Sequence, residues 1–171
     1  GSLKDGQIVW ALADVRDGFS LFGGDEVRGY LLFSNPHQYG KAIDIKFVME
    51  RVVCNNTLAV ALNEKNQPSV RVNHRSQFDA NKVKEILGLS HNKVEKFKEA
   101  AEFLGSKRYD RAQLERFFGK IFGESTRDDK VLSRTAEQAM EYVENQPGDN
   151  FRPGTWWNAY NAVTYMADHK L

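Results

Sequence analysis

The clearest periodicity in the chain is KAIDIKFVME, residues 41–50, where Ile43, Ile45, Phe47 and Met49 alternate with Asp44, Lys46 and Glu50. A two-residue period puts the apolar set on one face and the charged set on the other, which predicts a half-buried strand. Ile8, Trp10 and Leu12 alternate in the same way before Gly23-Gly24-Asp25 turns the chain. Val27 to Phe33 is a second extended run ended by Asn35-Pro36, and SVRVNH (Ser69 to His74) is a further short strand. Strands joined by turns without intervening helices favour antiparallel pairing, hence a meander. RVVCNNTLAVAL, starting at Arg51, either extends the strand before it or turns into a short apolar helix near Asn55-Asn56; the helix is preferred.

Beyond residue 79 the period lengthens to that of a helix. Asp79 can cap a segment whose Val83, Ile86 and Leu87 share a face, and Gly88 with Ser90 marks a break or restart. Val94, Phe97, Ala101 and Leu104 follow, with Gly105 as a stop. Asp110 with Gln113 reads as a capping box opening a helix that carries Leu114, Phe117, Phe118, Ile121 and Phe122 up to Gly123. Another helix is expected from Leu132 to Glu144, with Ala136, Ala139, Met140 and Val143 inward and Pro147-Gly148 closing it. NQPGDNFRPG then leads to Thr155, the N-cap of a last helix.

Strands first and helices after is the α+β order. The expected architecture is an antiparallel three- to four-stranded meander with a helical layer packed on one face, the C-terminal aromatic and asparagine helix lying against the sheet. One domain is expected over residues 3–171, strand-rich over 3–75 and helix-rich over 79–171. Gly1-Ser2 resembles a cloning scar and is set aside.

The last helix, within GTWWNAYNAVTYMADH, is unusually rich in aromatic and amide side chains. Trp156, Tyr160, Val163 and Ala167 fall on one stripe at steps of three and four, widened by Ala159, Ala162 and Met166. The opposite side holds Asn158, Asn161, Tyr165 and Asp168, and Trp157, Thr164 and His169 lie between. Asparagine is a mediocre helix former because its side chain competes for backbone bonds. Two on one face therefore imply specific partners, either backbone groups of neighbouring loops or another molecule.

Composition narrows the class without naming a reaction. The 171 residues carry 41% hydrophobic and 27% charged side chains and a net charge of +1, an ordinary globular composition. Any basic surface must come from local clustering. Cys54 is the single cysteine, which excludes an internal disulfide and suits a reducing cytoplasm. No apolar run approaches the roughly 20 residues that cross a bilayer, so no membrane partner is expected.

RVVCNNTLAVAL, VRVNHRSQFD and GTWWNAYNAVTYMADH, in this order and at about these separations, resemble the phage/plasmid-like protein family, the domain of unknown function 932. The pattern consists of Arg51 to Leu58, then Arg71 and His74, then Gly154-Thr155 with Trp157, Asn161, Thr164 and Asp168-His169. The resemblance spans nearly the whole chain and implies a setting in prophages, plasmids and other mobile elements, without an activity. Family members run longer at both ends, so an excised core is expected. The strand-strand-strand-helix order also resembles the core of single-strand annealing proteins, as an analogy of fold.

Arg51, Arg71, His74 and Arg75 belong to the strand ends of that pattern and could converge on one edge of the sheet, with Asn55, Asn56 and Asn73 bracing a backbone beside them. Arginine forks suit phosphate oxygens. The competing reading makes Arg51 and Arg71 internal clamps to carboxylates such as Asp79 or Asp168. A second candidate surface is that of the terminal helix, Trp157, Asn158, Asn161, Thr164, Asp168 and His169. Cys54 and His74 invite a nucleophile-base pairing, but Cys54 in its apolar run reads as a small buried hydrophobe, and no catalytic residue is assigned. The histidines (37, 74, 91, 169) are scattered without zinc spacing, and no phosphate-binding loop is present, so neither metal nor cofactor is expected.

The first functional expectation is a non-enzymatic protein associated with single-stranded nucleic acid in replication or recombination. The alternative is an interaction or anti-defence factor that binds a host protein through Trp157 or Phe22. The third is an enzyme built on Asn158, Asn161, Asp168 and His169. A homo-oligomer would accord with an annealing role.

Overall fold

A computed structural model describes residues 1–3, 5–53, 56–57, 69–77, 79–123 and 132–170. Strands β1 (Ser2–Leu3), β2 (Ile8–Leu21), β3 (Asp25–Pro36) and β4 (Ile43–Arg51) form an antiparallel meander in chain order. Two short strands share the outer edge of β4. β5 (Asn56–Thr57) pairs with Arg51 and Glu50 at its C-terminal end, and β6 (Ser69–Val72) pairs with Ile43 to Lys46 at its N-terminal end.

The first long strand runs to the expected turn, and one expectation, the helix after β4, needs correction. β2 continues well past Leu12, because a bulge absorbs the polar residues between Asp14 and Gly18. There Arg16 takes φ 55° and its amide donates to Asp14 Oδ1 at 2.7 Å, after which pairing resumes at Gly18. The short helix expected near Asn55-Asn56 is replaced at Asn56–Thr57 by hairpin pairing onto β4. Asn55, Cys54 and residues 58–68 lie outside the described residues.

Helix α1 (Ala80–Ser106) runs 27 residues without the break expected at Gly88 and Ser90. A helical glycine costs only about 1 kcal/mol relative to alanine. The packing of Val83, Val94, Phe97, Ala101 and Leu104 with the inner sheet residues Leu21, Val27, Leu31, Ile45, Phe47 and Met49 outweighs it. Gly105 lies inside the last turn rather than beyond it. A Cβ there would sit 2.2 Å from the Phe22 ring, so glycine is required by the close approach of the β2–β3 turn.

Helices α2 (Arg111–Phe122), α3 (Arg134–Asn145) and α4 (Trp156–His169) build a second core of Leu114, Phe118, Ala136, Ala139, Val143, Ala159, Ala162 and Met166. Asp110 and Gln113 form the expected capping box of α2. Thr155 stands at the N-cap of α4, but its hydroxyl donates backwards to Arg152 O at 2.7 Å and caps no amide.

The single apolar stripe assigned to α4 is also corrected. The helix lies between both cores and is buried on several sides. Trp157 and Tyr160 enter the sheet core, whereas Trp156, Ala159, Ala162, Val163 and Met166 enter the helical one. Ala167, placed on the apolar stripe, is exposed.

Candidate functional site

Asp25, at the start of β3, and Arg51, at the end of β4, are 0% and 1% exposed. Their burial is tolerated because every charged face is satisfied. Arg51 Nε donates to Asp25 Oδ1 at 2.7 Å and an Nη to Oδ2 at 2.9 Å, a two-pronged pairing that only a guanidinium can make. The fork continues to the carbonyls of Pro147 at 3.3 Å and Gly148 at 2.8 Å. Gly148 adopts φ +79°, and a Cβ there would lie 2.7 Å from the guanidinium. From the other side, Trp157 Nε1 donates to Asp25 Oδ2 at 2.8 Å. One buried carboxylate thus joins the sheet, the α3–α4 loop and the first turn of α4.

The amides of α4 serve the same loop. Asn158 Nδ2 donates to Asp149 O at 2.7 Å, and Gln146 Nε2 donates to Asn158 O at 3.0 Å. Asn161 Nδ2 bonds Trp157 O at 2.8 Å and Thr164 Oγ1 bonds Asn161 O at 3.0 Å, both within the helix. All four side chains are buried. The bonds from Asn158, Asn161 and Thr164 to Asp149 O, Trp157 O and Asn161 O go to backbone, Asn158 Oδ1 accepts from Gln146 Nε2 at 3.5 Å, and Trp157, at 1% exposure, presents no surface to a partner. Phe22 is half-buried against Trp157 with the Arg152 guanidinium 4.9 Å from its ring centroid. Neither aromatic is an exposed anchor.

The C-terminal turn of α4 is different. Burial pushes the Glu50 carboxyl above its ordinary range, and the nearby Asp168 charge adds to that. His169 is exposed, its ring 4.7 Å from that of Tyr165, which in turn lies 5.1 Å from Tyr142. Among the described residues, no three His, Cys, Asp or Glu side chains gather as a metal site, and no helix is long and apolar enough to cross a membrane.

The arginines do not converge. Arg71 pairs in register with Asp44, seven residues before Arg51 on β4, about 23 Å away at the rise of an extended strand. Arg51 acts as a clamp, and the carboxylate it holds is that of Asp25. Arg71, His74 and Arg75 are exposed at the opposite end of β4. Asn56 lies in β5 beside Arg51 and so apart from that trio. Asp25 is the residue that sequence reasoning missed as Arg51's partner. It stood in a Gly-Gly-Asp turn signal, and only the β3–β4 register, Val27 opposite Arg51, brings it near.

A family model matches residues 1–171, the whole chain, under the description Domain of unknown function. The chain belongs to the DUF932 family. No curated protein and no solved structure matches it. In this DUF932 domain, the motif residues Arg51, Trp157, Asn161 and Thr164 are interior. Arg71, His74 and His169 are exposed at the surface.

Proposed function

We propose that this DUF932 domain associates with single-stranded nucleic acid, without chemistry of its own, at the end of the sheet where β6 leads into α1. The observation that carries the reading is charge segregation. Between Ser69 and Lys98 there are seven Lys or Arg against three Asp or Glu, a surplus of four in a chain whose total surplus is one. Arg71, Arg75, Lys82 and Lys84 of this segment are exposed, and His74 lies among them. Arginine forks and lysines arranged along one edge can track a phosphate backbone without reading bases. A role beside replication or recombination in phages and plasmids accords with the setting that the family resemblance implies.

The assay is a fluorescence-anisotropy titration with labelled oligonucleotides at several salt concentrations. Binding is expected to weaken with salt. Arg71→Ala and Arg75→Ala should each weaken it and flatten the log–log salt slope by about 0.7 per lost phosphate contact. Absence of binding at low salt, or binding indifferent to both substitutions, refutes the reading. Both side chains are exposed, so the fold is spared.

A further inference from the structure

The register of β4 with β6 brings a second loop to the same end of the sheet. β6 is antiparallel to β4 and its last residue, Val72, faces Ile43, the first of β4. Residues 73–77 and the β3–β4 loop, 37–41, therefore leave the sheet side by side. The second loop carries His37, Tyr39 and Lys41, all exposed.

Tyr39 is 105% exposed, the most exposed large aromatic named in the fold. It is not at the end of a slack segment. The loop is tied at its start by the His37 amide to Gln7 O at 2.7 Å and by Gln38 Nε2 to Gln7 Oε1 at 3.3 Å. A turn closes it, with Lys41 N donating to Gln38 O at 3.1 Å and Gly40 at φ +75°. That positive φ is available to glycine at no steric cost, and it sets Tyr39 at the tip of the turn. The phenol ring contributes nothing to the core, and its loop, which also carries Lys41, leaves the sheet at the same end as the segment that carries Arg71 and Arg75.

We infer that Tyr39 is a base-stacking platform, and that the ligand of this end is single-stranded nucleic acid with an unpaired base laid on its ring while phosphates follow Lys41, Arg75 and Arg71. Cations alone would take duplex and single strand alike. An aromatic face beside them selects bases that are free to unstack, whatever their identity. The inference rests on the nucleic-acid reading above and adds to it a specific residue and a physical reason for preferring a single strand.

The test compares an oligothymidylate with a duplex of the same length, for the unaltered domain, Tyr39→Ala and Tyr39→Phe. Tyr39→Ala should weaken single-strand binding about five- to a hundredfold, the effect of losing one stacked base. It should leave duplex binding and the salt slope unchanged, and Tyr39→Phe, which keeps the ring, should bind as the unaltered domain does. If the single strand binds and Tyr39→Ala has no effect, or weakens duplex equally, the stacking role is overturned and the electrostatic reading stands. If the unaltered domain binds neither probe, both fall together.

Discussion

Trp157 Nε1 donates to Asp25 Oδ2 at 2.8 Å across 132 residues of chain, and through this bond the terminal helix is fastened to the sheet. The same oxygen accepts from Arg51. Replacing Trp157 by Phe keeps most of the ring but removes the donor, leaving a buried carboxylate short of one bond. The expected loss is about 1–3 kcal/mol. In a domain of this size that lowers Tm by roughly 2–12 °C, read by thermal melting.

Arg51 is the costlier position. Arg51→Met strands Asp25 without its counter-charge and should cost about 3–5 kcal/mol, and Arg51→Lys should recover little because an ammonium cannot make the paired fork. Adding Asp25→Asn to Arg51→Met should restore part of the loss. Urea denaturation of the two singles and the double gives the coupling energy, and additive losses would contradict the pairing.

Gly105→Ala tests the contact of the β2–β3 turn with α1. In an open helix the substitution should stabilise by about 1 kcal/mol. Here the added methyl would meet the Phe22 ring, so a net fall in Tm is expected. Shortening the ring in Gly105→Ala/Phe22→Leu should recover stability relative to the sum of the two single changes.

Glu50 confers a pH dependence whose sign follows from its environment. Its raised pKa means that the folded protein holds this proton to higher pH than the unfolded chain does. The stability conferred by that proton is full in acid, and it is lost as pH rises from the ordinary carboxylate value, about 4.3, through the raised one. Glu50→Gln should therefore melt above the unaltered protein at pH 7, with the difference shrinking toward pH 3. Asp168→Asn should change the profile in the same sense and less, since burial is the larger cause.

The periodic parts of the fold were legible from residue patterns. Alternation in KAIDIKFVME marked β4, the Asp110–Gln113 pair marked the start of α2, and the spacing of Ala136, Ala139 and Val143 marked the inner face of α3. These signals are local, since a strand or a cap is set by residues a few positions apart. Where a local signal met a larger packing gain it misled. Gly88 did not end α1, because Val94, Phe97 and Ala101 beyond it had a sheet to cover.

The candidate site divides along the same line. The residue types were present in the sequence: arginines at strand ends, and a helix carrying two tryptophans and two asparagines. That Arg51 turns inward to Asp25, that Trp157 joins it, and that Arg71 lies at the far end of β4 were decided by strand register and by α4 being enclosed between two cores. Tyr39 gave no signal at all in its polar loop. Its meaning comes from β6 ending opposite Ile43. Sequence alone determined which segments are strands and helices, because backbone periodicity is short-range. Which charges are buried, and which loops become neighbours, depended on contacts between residues far apart in the chain, and those exist only once the sheet and helices have packed.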